Sequence, residues 1–178
     1  MYARLERAAD LLARAMAYLG GAALLALTLA TTVSILGRAL APLGLGVGPI
    51  AGIYDLTEIG VAVAVFAFLP WRQLNGGHAR VELLTPVLPG PANRAIDLIA
   101  DLAMTVVAVA GAWRLWLGLL DKARYGETTL ILQVPVWTAY AGCLVGAVGF
   151  ALVAAFCALR SARALWGGDG ADREAADD

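Results

Sequence analysis

The feature that most constrains this sequence is a run of 23 residues, 15–37, without a single charged side chain. As a helix it measures roughly 35 Å, more than the hydrocarbon thickness of about 30 Å in a typical bilayer. A water-soluble domain of 178 residues could not use such a stretch freely, because 61% of the chain is already hydrophobic and 15% is charged. Average globular domains carry nearer a quarter charged residues. The run reads as a membrane-spanning helix.

Three further spans follow from the same clumping of charges. The second starts near Ile50 and ends at Pro70, with Asp55 and Glu58 in its first turns. The third runs from about Ile96 to Leu120, with Asp97 and Asp101 at one end and Arg114 near the other. The fourth lies within the 32 uncharged residues 128–159 and starts near Val134 and Pro135. The expected fold is an all-α membrane protein with four transmembrane helices at about 15–37, 50–70, 96–120 and 134–159. These make a single membrane domain over residues 1–166, followed by a disordered acidic tail over 167–178.

Residues 41–49 carry a proline near each end and three alternating glycines, and so form a turn or loop rather than a phosphate loop. The prolines of residues 84–91 close the connection before the third helix. The basic front of the first span is long and amphipathic, which favours a retained helix over a cleaved signal peptide. No internal repeat suggests inverted halves of the kind that enclose a transport site.

Arginine placement sets the expected orientation. With four crossings the two ends and the middle loop share one side, which holds nine of the thirteen basic residues. Cytoplasmic loops attract the basic excess, so both termini are expected in the cytoplasm.

Polar groups inside a span are costly and therefore informative. Asp55 and Glu58 share a helical face at the outer end of the second helix, where pairing with Arg38 is the expected role. Proton or ion binding and a partner contact are the alternatives. Asp97 and Asp101 suit the positive end of the third helix as capping groups. Arg114 can snorkel toward Asp121. Small residues recur every fourth position at Ala22, Ala26, Ala30 and Ser34, and at Ala139, Cys143, Ala147, Ala151 and Ala155. Such stripes permit close helix approach and point to a partner membrane protein.

Several function classes fall away. A net charge of −1 gives no nucleic-acid footprint. Two cysteines and one histidine make neither a disulfide framework nor an ordinary zinc site, and a lone His cannot ligate a haem on both faces. Cys143 and Cys157 lie too far apart along one helix to pair. No nucleophile has a charged base beside it. No cofactor and no enzymatic activity are expected.

One segment carries a family pattern. Arg38 ends the first helix, Glu58 stands at the outer start of the second, and an apolar run leads to Arg72 and then His78-Ala79-Arg80-Val81-Glu82. Tyr125-Gly126-Glu127-Thr128-Thr129 and Leu132-Gln133-Val134-Pro135-Val136-Trp137 lead into the fourth helix. In this order the chain resembles the small permease subunit of tripartite ATP-independent periplasmic (TRAP) transporters, the DctQ type. That family often has a tryptophan before, and paired acids at, the start of helix two, where Tyr54, Asp55 and the single Glu58 stand here.

The resemblance implies a non-catalytic scaffold in the bacterial inner membrane. It would pack against a large permease subunit that carries sodium and substrate, and help dock a periplasmic substrate-binding protein that delivers an organic acid. Arg38 and Glu58 would make structural polar contacts between helices one and two or with the partner, and Arg72, His78, Arg80 and Glu82 would organise the cytoplasmic loop; Asp55, from its place in the second helix, is a further structural or partner-interface candidate. Apart from those proteins only membrane lipid is an expected partner. Two other readings compete: a membrane anchor of an oxidoreductase complex, and a lipid- or peptide-processing enzyme using the paired acids.

Overall fold

A computed structural model describes residues 2–43, 48–75 and 90–166 of the chain. Among these residues the fold is helical, with α1 (Tyr2–Leu40), α2 (Ile53–Leu74), α3 (Gly90–Tyr125) and α4 (Trp137–Trp166), and a short 3-10 turn at Ala41–Leu43. Each of the four helices contains a span long and apolar enough to cross a membrane.

The helices run further than the charge-free windows. The helix α1 begins at Tyr2, because no glycine or proline separates its amphipathic front from the apolar run. Its Ala9, Ala13 and Met16 are buried, so the front packs rather than trailing into solvent. The helix α3 begins at Gly90 with Pro91 in its first turn, the one place where a missing N–H costs nothing. Asp97 and Asp101 therefore lie well inside α3, not at a capping position. The helix α2 continues through Pro70 to Leu74.

Pro70 can neither donate to the carbonyl of Phe66 nor be tolerated cheaply in a helix interior. Its neighbour α4 supplies the compensation. A Cβ added to Gly146 would fall 2.8 Å from the Phe66 carbonyl oxygen, so the backbone of α4 runs directly against the freed acceptor. Close Cα–H contacts of this kind help satisfy backbone oxygens in helix pairs. Pro70 is itself among the most deeply buried side chains.

The four helices do not close into a ring. The helix α2 packs on α1 and α4, and α4 packs on α2 and α3, while α2 and α3 make no close backbone approach among the described residues. The result is an open row ordered α1, α2, α4, α3, with α1 grazing α4 at one edge. Within the most apolar 18-residue stretch of each helix, 56% of residues are buried in α4, against 11% in α1 and 6% in α3. So α4 is the spine, and the outer helices expose apolar flanks.

Small residues make the spine possible. Gly142 faces Val63, Gly146 faces Phe66 and Gly149 faces Met16, each at a spacing that no Cβ would fit without movement. Cys143 and Ala147 of the fourth-helix stripe are buried. The first-helix stripe behaves differently: Ser34 is buried, whereas Ala22 and Ala26 are exposed. The face of α1 that packs on α2 runs instead through Gly20 and Leu27, against Ala67 and Gly60.

Candidate functional site

Two polar clusters occupy opposite ends of the row. At the end that holds the start of α2, the connection from α3 to α4 folds into a tight antiparallel turn. The Thr129 N–H donates to the Val134 carbonyl, and the Val136 N–H donates to the Glu127 carbonyl, both at 2.9 Å. Gln133 adopts a left-handed φ of 53° at this turn, and Gly126 leaves α3 with a φ of 63°. The Thr129 hydroxyl accepts from the Val134 N–H at 3.1 Å and tightens it further.

The tip of that turn is held by Asp55. One carboxylate oxygen, Oδ2, accepts the backbone N–H groups of Ile131 at 3.0 Å and Leu132 at 2.9 Å. Asp55 is 8% exposed, so its charge is satisfied by two oriented amides rather than by water. Gly52, just before α2, sits at a φ of 73°, and a Cβ there would strike the Leu132 side chain at 2.2 Å. Glycine is needed both for the backbone conformation and for the room.

The expected pairing of Asp55 and Glu58 with Arg38 is not what the structure contains. Among the described residues no ion pair joins Arg38 to either acid, because Asp55 turns toward the turn after α3 instead. Ser34, one turn before Arg38, supplies the link at this end: its hydroxyl accepts the Ile50 N–H at 3.1 Å. Arg114 likewise makes no ion pair with Asp121 among the described residues. The ion pair at this end is Lys122 with Glu127, at 2.6 Å.

Between α2 and α3, above α4, these groups frame a cleft of about 570 Å³. Glu58, Lys122, Thr129 and Tyr140 line its mouth, and Ala62 and Leu115 line its depth. The Tyr140 ring is seated on Gly118 of α3, where a Cβ would come within 2.6 Å of it.

At the opposite end Gln73, Asp101 and Ser161 join α2, α3 and α4. The Gln73 Nε2 donates to Asp101 Oδ1 at 3.4 Å, and the Ser161 hydroxyl donates to Asp101 Oδ2. The Cys157 thiol donates to the Gln73 carbonyl at 3.8 Å. Gln73 is 2% exposed and its side-chain oxygen has no hydrogen-bond partner among the described residues. Nearby, Arg14 lies 5.6 Å over the Trp71 ring while its Nε holds Asp10 at 2.9 Å. Asp101 is thus a polar tie between the α2 and α3 edges at this end.

Arg72 is exposed in the last turn of α2. His78, Arg80 and Glu82 lie outside the described residues, as does the acidic tail. Sequence reasoning missed Gln73, an uncharged residue next to a span end, and Ser161. It placed Asp55 at the right end with the wrong partner. The Leu132-Gln133-Val134-Pro135 segment was the available signal, since a turn with a proline leaves amides that need acceptors.

The family model of the DctQ component of tripartite ATP-independent periplasmic transporters covers residues 27–165. No curated protein and no solved structure matches the chain.

Proposed function

Because this chain belongs to the DctQ family, the small membrane component of TRAP transporters, we propose that it is the non-catalytic scaffold of a sodium-coupled importer of an organic acid. It is a multi-pass protein of the bacterial inner membrane. In this reading the chain binds neither sodium nor the carboxylate substrate. It packs against the large permease subunit, which carries both, and holds the static part of the transporter in place.

The observation that carries this reading is the open row of helices. A self-contained transporter encloses its site between repeats, whereas here α1 and α3 leave long apolar flanks uncovered. Leu25, Leu29 and Val33 on α1 and Val106, Val109 and Trp113 on α3 are exposed. The outward Ala22 and Ala26 give α1 a surface that another helix can approach closely. The polar clusters tie this chain's own helices together rather than framing a carboxylate site.

Both termini lie in the cytoplasm in this proposal, following the basic excess on that side. The turn between α3 and α4 then faces the periplasm. Its tip residue Leu130 is 95% exposed and Ile131 54% exposed. An apolar tip braced by Asp55 suits contact with a periplasmic binding protein. Co-expression with a large TRAP permease tests the proposal: a stable complex should survive detergent purification, and separate elution of the two chains contradicts it.

A further inference from the structure

We propose that the cleft between α2 and α3 at the Asp55 end holds the headgroup of one phospholipid with a primary ammonium, of the phosphatidylethanolamine class. Of the charged groups around the mouth, Asp55 is satisfied by the amides of Ile131 and Leu132, and Lys122 is engaged by Glu127. The Glu58 carboxylate lines the cleft and makes no hydrogen bond or ion pair among the described residues. The mouth is therefore short of a cation, which disfavours an anionic lipid and favours an ammonium opposite Glu58.

The same mouth also offers donors. Lys122 has three N–H groups and Glu127 takes one of them. Tyr140 of α4 lines the same cleft and carries a phenolic hydroxyl. An ammonium acceptor on α2 faced by phosphate donors on α3 and α4 is the complement of a zwitterionic headgroup. A quaternary ammonium would lack the N–H groups that a carboxylate accepts.

Shape selects a lipid over a soluble amine. The polar groups sit in the first turns of α2 and the last turn of α3, at the level where headgroups lie. Below them the lining turns apolar, through Ile59 and Ala62 on α2, Leu115 on α3 and Cys143 on α4. From Lys122 to Leu115 the drop is about 10 Å of helix. The volume of about 570 Å³ lies within the range of ligand sites, about 300–1,000 Å³. Since the backbones of α2 and α3 do not approach closely among the described residues, acyl chains can leave the cleft sideways into the bilayer.

Native mass spectrometry of the full chain, alone and co-purified with a large permease, tests the site. Phosphatidylethanolamine should be retained over phosphatidylcholine and phosphatidylglycerol by roughly tenfold, the fold-change of one charge-assisted hydrogen bond. Glu58→Gln should reduce retention to the phosphatidylcholine level while the chain keeps its helical circular dichroism signal. Ala62→Phe, which fills the depth of the cleft, should also release the lipid; if that variant misfolds, Glu58→Gln decides alone. Glycerophosphoethanolamine, which lacks the chains, should not displace it. Equal retention of the three lipids, or full retention by Glu58→Gln, overturns the proposal. So does loss of the lipid when the large subunit binds, which would place a basic side chain of that partner against Glu58.

Discussion

The carboxylate of Asp55 accepts the backbone N–H of Leu132 at 2.9 Å, across 77 residues of sequence. With the Ile131 amide at 3.0 Å, this fastens the turn after α3 to the start of α2. An acid in the first turns of a spanning helix thereby has two backbone donors as partners. Asp55→Ala should lower the thermal midpoint in detergent and expose the turn to proteolysis. Asp55→Asn keeps an acceptor but loses the charge, so it should fall between wild type and alanine. Equal midpoints for all three would remove the brace from the account.

The contact of α2 with α4 depends on Gly146. A Cβ there would lie 2.6 Å from Phe66 Cβ and 2.7 Å from the Phe66 backbone carbon, neither of which can swing away. Gly146→Ala should cost about 1–3 kcal/mol through forced separation of the helices. Gly111 on α3 has nothing within 4 Å of its added Cβ. Gly111→Ala should be neutral or stabilise by less than about 1 kcal/mol. Unfolding in a denaturing detergent titration distinguishes the pair.

At the other end, Asp101 and Gln73 should act as a unit. Asp101→Leu leaves the buried Gln73 amide without its acceptor and should cost about 1–3 kcal/mol. Adding Gln73→Leu removes the stranded group, so the double variant should be more stable than the sum of the single changes predicts. A coupling near 1 kcal/mol is expected for groups in contact. Strict additivity would mean that the 3.4 Å contact carries no stability.

Two surface substitutions separate assembly from docking. Ala26 is exposed on the α1 face left outside the row. Ala26→Phe should weaken co-purification with the large permease while leaving the melting profile of the lone chain unchanged. Leu130→Asp should leave that complex intact and slow uptake that depends on the binding protein. If the two effects exchange places, the assignments of the two surfaces are reversed.

Much of the helical architecture was legible because charge is excluded from spans, and the gaps between charged clumps follow the helices. Helix ends were less legible. Pro70 reads locally as a stop, yet α2 passes through it because Gly146 of another helix covers the Phe66 carbonyl. The start of α1 was hidden because Arg4, Arg7 and Arg14 look like a boundary to hydropathy but not to a helix. Partners of the polar residues were the least legible. Arg38 and Asp55 share an end of the bundle, but which acceptor meets the Ile131 and Leu132 amides is set by how the turn packs. Gln73 gave no signal, since an uncharged amide near a span end reads as an interface residue.

The central claim is that this chain is a required scaffold without a transport site of its own. Uptake of a labelled organic acid into proteoliposomes, driven by a sodium gradient and supplied with the binding protein, tests it most directly. Vesicles holding this chain together with its large permease should accumulate the acid, and vesicles holding this chain alone should not. Accumulation by the chain alone, or undiminished accumulation by the large permease without it, would contradict the account.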